Sequence, residues 1–564
     1  MKEKFYRFIS KDEFNEKVIK DIEKYVEKII EDRIPEITFN GYRKYYECGS
    51  RMENEEIYFE KRKQLATLGL YLQWKHNKKA IDYFNELLWS ISNEFTWALA
   101  AHVNYGKGSF DDDCRRIIDL FAAETAESLS ELIVIHKDKI NNMLINHIKS
   151  EIKERVINPF LEKKWFWETS KHNWNAVCGG CIGITALLLE EGEVQKKIIN
   201  RVENALKYYI EGFGDDGASL EGIGYWTYGF GYYIYYKALK NELNDINTSK
   251  VKSIANFPQV IQISDKVYIP FSDVPPSMEL PTGLISFLQQ NYNINIPYIS
   301  EFTSLDFDKC HRWAHLSRNL WWTNNHIFNK SLENTNIFLK DSSLGIYRRK
   351  DFFIAIKGGS NKEPHNHNDI GSFVVAYKGK LILTDLGAGA YTKDYFGDGR
   401  YLHDHTRSYY HSVPIINNME QVVEDEVVEM EAIDYEKFHY KINMIKAYRI
   451  DYIKIFTREI ELNKERKFVM TDYIESENRL NVNEGFISHI KPIIKDNGQV
   501  IYKINSKMSL ILYYNEKNLI ATYEKKEIVN HYNENEIIYR LSLNNKYNTN
   551  IFSEKFIFSI EEAK

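Results

Sequence analysis

The chain reads as an α+β multidomain protein, helical in its first part and antiparallel all-β in its second. Three observations predict this. Over residues 1–335 apolar side chains recur at i, i+3, i+4 and i+7, the stripe of an amphipathic helix. Over residues 336–564 the period falls to two, in short runs split by Gly, Asn, Asp and charged turns. No helical pattern separates those runs, which argues for an antiparallel sandwich rather than a parallel sheet with crossover helices. With 564 residues the chain can fill two cores.

The helices come in order as "IYFEKRKQLATLGLYLQW", "AIDYFNELLWSISNEF", "CRRIIDLFAAETAESLSELIVIH", "KINNMLINHIKSEIKERVINPFLEK", "NAVCGGCIGITALLLE", "VQKKIINRVENALKYYIEGF" and "YWTYGFGYYIYYKALKNEL". Turn clusters such as "GFGDDGAS" divide them. Short connections predict packed helical hairpins, in a bundle, a solenoid or a closed ring. No repeat is visible to decide on closure. The switch comes after "HIFNKSLENTN". The strands then follow as "LGIYRRKDFFIAIKGG", "GSFVVAYKGKLILTDLG", "HSVPIINN", "YKINMIKAYRIDYIKIFTREIEL", "KFVMTDYIES", "MSLILYYN", "IIYRLSL" and "KFIFSI".

Composition excludes some partners. A net charge of -6 sets up no global field toward nucleic acid or anionic lipid, so neither is expected as a partner. No run approaches the apolar length of a membrane span. The start, "MKEKFYRFISKDEFNEKVIK", lacks the uninterrupted apolar segment of a secretory signal. The expectation is a cytoplasmic protein as written, periplasmic or secreted if a leader was removed. Five scattered cysteines argue against a disulfide framework and for a reducing compartment. Cys178 and Cys181 form "CGGC" inside an apolar helical pattern with no second pair, which predicts small residues packed between helices. The 14% aromatic share suits sugar stacking, and an AT-rich coding bias gives the same excess.

Three constellations carry chemistry. "KHNWNAVCGG" puts Asn173, Trp174 and Asn175 before an apolar helix, where an Asn also serves as an ordinary N-cap. "DDGASLEGIGYWTYGFGYYIYY" delivers Glu221 and Tyr225 from a Gly-rich loop to a helix mouth, with Tyr228 one turn on. "EPHNHNDIGSFVVAYKGKLILTDLGAG" crowds His365, His367, Asp369 and Asp385 around one strand turn, and its extension "GAYTKDYFGDGRYLHDHTRSYYHSVPIINN" adds Tyr391, Tyr395, Tyr401, Arg407 and His411. Two imidazoles and a carboxylate suit Zn²⁺ or a similar divalent ion. If the H-x-H segment is extended, His365 and His367 point to opposite faces.

Together, and in this order across nearly the whole chain, these motifs resemble the heparinase II/III-like polysaccharide lyases. The resemblance implies an (α/α) toroid over 1–335 and an antiparallel β-sandwich over 336–564. It implies a metal, usually zinc, in a structural role, on His367, Asp385 and His411. The family's reaction is β-elimination across a uronic acid. That implies a base for the weakly acidic C5 proton, neutralisation of the neighbouring carboxylate, and an acid for the leaving O4.

By the same resemblance Asn173 binds the carboxylate and Tyr225 is the acid, or both acid and base. His365, Tyr401 and Arg407 complete the catalytic set. Trp174, Asn175, Glu221 and His102 fall to substrate binding. Several members of the family place a histidine where this chain has Trp174, which shifts the base role to Tyr225 and His365. The expected partner is an anionic, uronate-containing polysaccharide or oligosaccharide, glycosaminoglycan-like or alginate-like, and a homo-oligomer stays open. Two other readings remain. One is a glycoside hydrolase using Asp215, Asp216 and Glu221, since such enzymes need two carboxylates; the other is a non-catalytic carbohydrate-binding protein.

Overall fold

The computed structural model describes residues 13–103, 112–241, 248–328, 330–392, 394–397, 399–423, 426–463, 465 and 467–562. The first twelve residues, on which the absence of a leader rests in part, lie outside these. The chain divides into two compact units. One comprises Met1–Phe213, Tyr225–Ala255 and Glu279–Asn329; the other comprises Gly214–Gly224, Asn256–Met278 and Lys330–Lys564. Two stretches that the sequence places in the helical region, Gly214–Gly224 and Asn256–Met278, therefore group with the sheets.

The first unit is helical. Its main helices are α1 Glu16–Ile29, α2 Phe39–Cys48, α3 Met52–Trp74, α4 Lys78–Ser92, α5 Leu120–Ile135, α6 Asn142–Ile152, α7 Asn173–Leu189, α8 Gly192–Glu211, α9 Gly231–Lys240, α10 from Ser249, α11 Thr282–Tyr292 and α12 Trp313–Trp322. Successive pairs such as α3 with α4, α7 with α8 and α11 with α12 pack together. Helices α5 and α7 are buried around almost their whole circumference, as helices apolar on every side must be.

The α7–α9 contact explains "CGGC". A Cβ on Gly180 would lie 2.8 Å from the Tyr232 carbonyl, so only glycine lets the two backbones approach this closely. Cys178 and Cys181 are fully buried, and burial pushes both thiols well above their ordinary range, which leaves them unreactive. Among the described residues no helix is long and apolar enough to cross a membrane.

The second unit is built on antiparallel sheets. The hairpin β1 Gln262–Ser264 and β2 Val267–Tyr268 stands apart. One sheet orders β3 Thr335–Leu339, β4 Leu344–Arg349, β5 Phe352–Lys357, β6 Phe373–Tyr377 and β7 Lys380–Leu383 sequentially. The remaining strands are β8 Ile415–Ile416, β9 Met430–Asp434, β10 His439–Asn443, β11 Ile453–Leu462, β12 Phe468–Leu480, β13 Val482–Ser488, β14 Ile493–Lys495, β15 Gln499–Lys503, β16 Met508–Tyr513, β17 Leu519–Val529, β18 Asn535–Asn545 and β19 Thr549–Glu562. They form a sheet ordered β14-β15-β16-β19-β12-β11-β10-β9 and another ordered β17-β18-β13-β8.

The three larger sheets share one core. Ile354, Phe373 and Ile382 of the first sheet meet Phe456, Phe468 and Phe558 of the second and Phe486 and Leu541 of the third. The run "YKINMIKAYRIDYIKIFTREIEL" is two strands, not one. A helical turn at Ile445–Tyr448, closed by Arg449 in the left-handed region, separates β10 from β11. Arg348 of β4 fastens the 256–278 segment to its sheet by donating to the carbonyls of Gln259, Val260 and Gln262. That anchor matters for the site, because the same segment carries Asp273.

Candidate functional site

Three segments of the sheet unit bring His367, Asp385 and His411 together: the loop between β5 and β6, the residues just after β7, and the turn that follows Ser408–Tyr410. All three side chains are buried, and one ligand atom from each lies within 4.8 Å of the others. Hydrogen bonds on the far side of each ring settle which nitrogen faces inward. His411 Nε2 donates to the His405 carbonyl at 3.0 Å, and its Nδ1 lies 2.7 Å from Asp385 Oδ2. His367 Nε2 donates to Asp273 at 3.1 Å, so its Nδ1 faces Asp385 Oδ1 at 3.8 Å, and that buried Nδ1 has no hydrogen-bond partner.

Two imidazole nitrogens and a carboxylate thus converge in a group that could hold a metal ion. The donor set fits a divalent ion such as zinc, and the bonds on the outer nitrogens are the second shell such ligands require. Burial alone would raise the Asp385 carboxyl, but His411 and His367 hold it well below the usual range. His405, whose carbonyl serves this arrangement, is pushed down to about 4 by its own burial and stays neutral.

The second feature is Asp273, which the sequence reading missed. It is buried in the loop "PFSDVPPS" and receives four neighbours. His365 Nδ1 lies 2.9 Å from Oδ2, His367 Nε2 3.1 Å from Oδ1, the Tyr395 hydroxyl 2.6 Å from Oδ1, and Arg400 Nη2 3.1 Å from Oδ2. Burial would raise this carboxyl as well; the hydrogen bonds from both histidines and the charge of Arg400 keep it ionised far below the ordinary value.

The expected opposite-face arrangement of His365 and His367 does not hold, because the segment is turns rather than strand. His365 sits at φ 59°, in the left-handed region, and both rings reach the same carboxylate. Their other nitrogens then diverge: His367 Nδ1 turns toward Asp385, while His365 Nε2 lies 3.5 Å from Glu221 Oε1. Asp369 pairs with the buried Lys357 at 2.6 Å.

Other expected residues of this unit are placed as follows. The Tyr401 hydroxyl donates to Asn366 Oδ1 at 2.8 Å, and burial, partly offset by Arg400, raises it above its ordinary value. Arg407 forms its ion pair with Glu420, not with the histidine cluster. The guanidinium beside the cluster is that of Arg400, seven residues earlier in the motif. Asp216 accepts from the Ala218 amide at 3.1 Å and from the Ser342 amide and hydroxyl at 3.0 and 3.1 Å. That use holds the "GDDG" loop closed and occupies one of the three carboxylates named for the hydrolase alternative.

In the helical unit, Asn173 is the first residue of α7. His172 takes the cap position, so Asn173 is not the N-cap its context suggests. The side chain of Asn173 is buried, and a Cβ on Gly229 would lie 3.1 Å from its Cα. The N-terminus of α7 therefore rests on the π-helical turn Trp226–Phe230, which begins directly after Tyr225. Such π turns recur at functional sites.

Tyr225 is half-buried, while Tyr228 is buried under the Arg312 guanidinium, 3.9 Å from its ring centre. His102 Nδ1 is held by the buried Asp119 at 2.8 Å, and its ring meets that of Trp174 at 5.0 Å. Those two residues therefore share one patch. Asn175 is fully buried, its amide donating to the Glu168 and Ala205 carbonyls at 2.9 Å each. This corrects the expectation that it meets substrate, since its donors are spent inside the helical core.

No family model matches the sequence, and no curated protein does. Solved structures do match. The heparan sulfate lyase of Pedobacter heparinus aligns with 97% of this chain and 84% of its own, at 13% identity and a TM-score of 0.63. Heparinase III aligns over 100% of this chain and 94% of its own, at 12% identity and a TM-score of 0.63. The chondroitin AC lyase of Streptomyces coelicolor A3, solved with chondroitin sulphate, covers 99% of this chain and 81% of its own, at 9% identity and a TM-score of 0.57. The fold is that of these proteins, a helical toroid followed by an antiparallel β-sandwich.

Proposed function

We propose that the chain is a polysaccharide lyase that cleaves an anionic, uronate-containing glycan by β-elimination. The observation that carries this reading is the state of His365: Asp273 takes its Nδ1–H, so Nε2 is the nitrogen presented, next to Glu221. A buried carboxylate that fixes an imidazole in this way is the arrangement of a histidine working on a substrate. The fold shared with the glycosaminoglycan lyases above and the buried His367–Asp385–His411 group support it.

The roles follow from donor chemistry. Asn173 donates its amide to the uronate carboxylate, so that negative charge can move onto the carboxyl group as the C5–H bond breaks. Tyr225 takes the C5 proton as base, the electron pair of that C–H bond forms the C4–C5 double bond while the C4–O4 bond breaks, and Tyr225 returns the proton to O4 as acid. Trp174 and His102, whose rings meet edge to face at 5.0 Å, offer aromatic surface to a sugar. A divalent cation held by His367, Asp385 and His411 would supply charge that fixes those three side chains in place.

The test is ultraviolet absorbance. Glycosaminoglycans, alginate and other uronate polymers are each incubated with the purified protein. A lyase gives an absorbing C4–C5 unsaturated product; new reducing ends without that absorbance would replace this reading with hydrolysis.

A further inference from the structure

Asp273 is held more firmly than a loop residue needs for folding alone. The preceding Ser272 sits at φ 64° and its hydroxyl donates to the Leu220 carbonyl at 3.2 Å. The following Val274 is gripped on two sides. Its carbonyl accepts from the Ala388 amide at 2.9 Å, and a Cβ on Gly387 would lie 2.2 Å from that carbonyl oxygen. On its other side a Cβ on Gly222 would lie 2.5 Å from Val274 Cγ2. Gly222 and Gly387, both at positive φ, thus admit the loop where any side chain would exclude it. Tyr395 and Arg400 then fix the carboxylate itself, and Arg400 also stacks on the Tyr395 ring, 4.8 Å from its centre. Two left-handed non-glycine residues, Ser272 and His365, meet at this point, which is the local strain expected where a geometry is imposed for use.

We propose that Asp273 is a positioning residue that couples the metal-binding histidine to His365. A carboxylate accepts and never donates when ionised. Oxygen Oδ1 therefore requires the hydrogen of His367 on Nε2, which keeps Nδ1 open toward Asp385 and His411. Oxygen Oδ2 requires the hydrogen of His365 on Nδ1, which keeps Nε2 open toward Glu221. One rigid group of three atoms thereby sets two tautomers and the distance between two rings. A cation held by His367 would act on a ring whose other nitrogen Asp273 already holds, so the one carboxylate links that site to His365. The proposal rests on the lyase reading for what His365 does, and on geometry alone for the coupling.

The test is Asp273→Asn, which keeps the shape but offers one acceptor and one donor where two acceptors stood. Zinc affinity is measured by competition with a chromophoric chelator, and a loss of about 10–100-fold is expected, the usual effect of removing a ligand's hydrogen-bond partner. Turnover on a uronate polymer that the wild type cleaves should fall at least tenfold in kcat with little change in KM, and saturating zinc should restore occupancy but not kcat. Zinc that restores both would reduce Asp273 to a prop for the metal site and overturn the coupling; so would affinity and kcat within twofold of wild type.

If Asp273→Asn does not fold, Tyr395→Phe, which removes one hydrogen bond from the same carboxylate, should lower zinc affinity and kcat together; lowering neither overturns the proposal. A wild type without lyase activity would end the functional reading while leaving the coupling testable. The ¹⁵N signals of ¹⁵N-histidine-labelled protein should then show the His365 hydrogen on Nδ1, with the signal moving when zinc is added. A zinc-insensitive signal, or the hydrogen on Nε2, would overturn it.

Discussion

A tyrosine hydroxyl ionises near pH 10 in water, so its place in the fold decides whether it can work as an acid or only fill space. Tyr225 stands half-buried where a π turn begins, and Tyr228 lies buried against Arg312 in the helical core. Tyr225→Phe removes one oxygen and leaves the ring, so the fold should survive while turnover on a uronate polymer falls by about 10²–10⁴-fold, the usual loss with an acid–base group. The substrate's KM should change far less. Tyr228→Phe should cost far less in turnover, because that ring packs rather than reacts. Near-wild-type turnover of Tyr225→Phe would move the acid to the sheet unit, where Tyr401 and His365 are the next candidates.

Helix α5 shows what a whole element can hide. Its face toward α12 carries Glu127 and Glu131, both fully buried, with Arg318 gripping Glu131 through two hydrogen bonds of 2.6 Å. One guanidinium cannot neutralise two carboxylates, so burial and the charge of Glu131 push Glu127 well above its ordinary value and it keeps its proton. An acid raised in the folded state costs stability as pH climbs from the unfolded value, about 4.3, through the folded one. Wild-type melting temperature should therefore fall between pH 5 and pH 8 more than that of Glu127→Gln, which has no proton to lose; parallel curves would show that Glu127 is ionised. At the α7–α9 crossing, Gly180→Ala should cost about 1–3 kcal/mol by urea unfolding, because its Cβ meets the Tyr232 carbonyl.

The helix and strand periods that announce these elements were legible because each buries one face or all faces in its own unit. The grouping of His367, Asp385 and His411 was legible because these residues fall in one ordered motif. Asp273 was not, since it lies 92 residues before His365 in a loop of no distinctive pattern. Nor could spacing reveal that Asn175 turns inward while its neighbour Trp174 reaches His102.

At the scale of the molecule, the sheet unit has one place where burial and charge are opposed. Asp385 is buried to 2% exposure and His367 and His411 to 0%, on three segments joined by no strand pairing to one another at that point. A cation bound there would tie those segments together, and since the unfolded chain has no such site, its binding energy would become folding energy. A ligand at 100–1,000 times its dissociation constant adds about 3–4 kcal/mol, and each kcal/mol moves the melting temperature of a unit this size by about 2–4 °C. Elemental analysis should find one transition-metal ion per chain. Calorimetry with a strong chelator should lower the melting temperature by about 5–15 °C, and added zinc should restore it. His367→Ala should melt at the lower temperature with or without chelator. A wild type free of metal, with a melting temperature that neither chelator nor zinc moves, would mean that a shared proton rather than a cation holds His411 against Asp385.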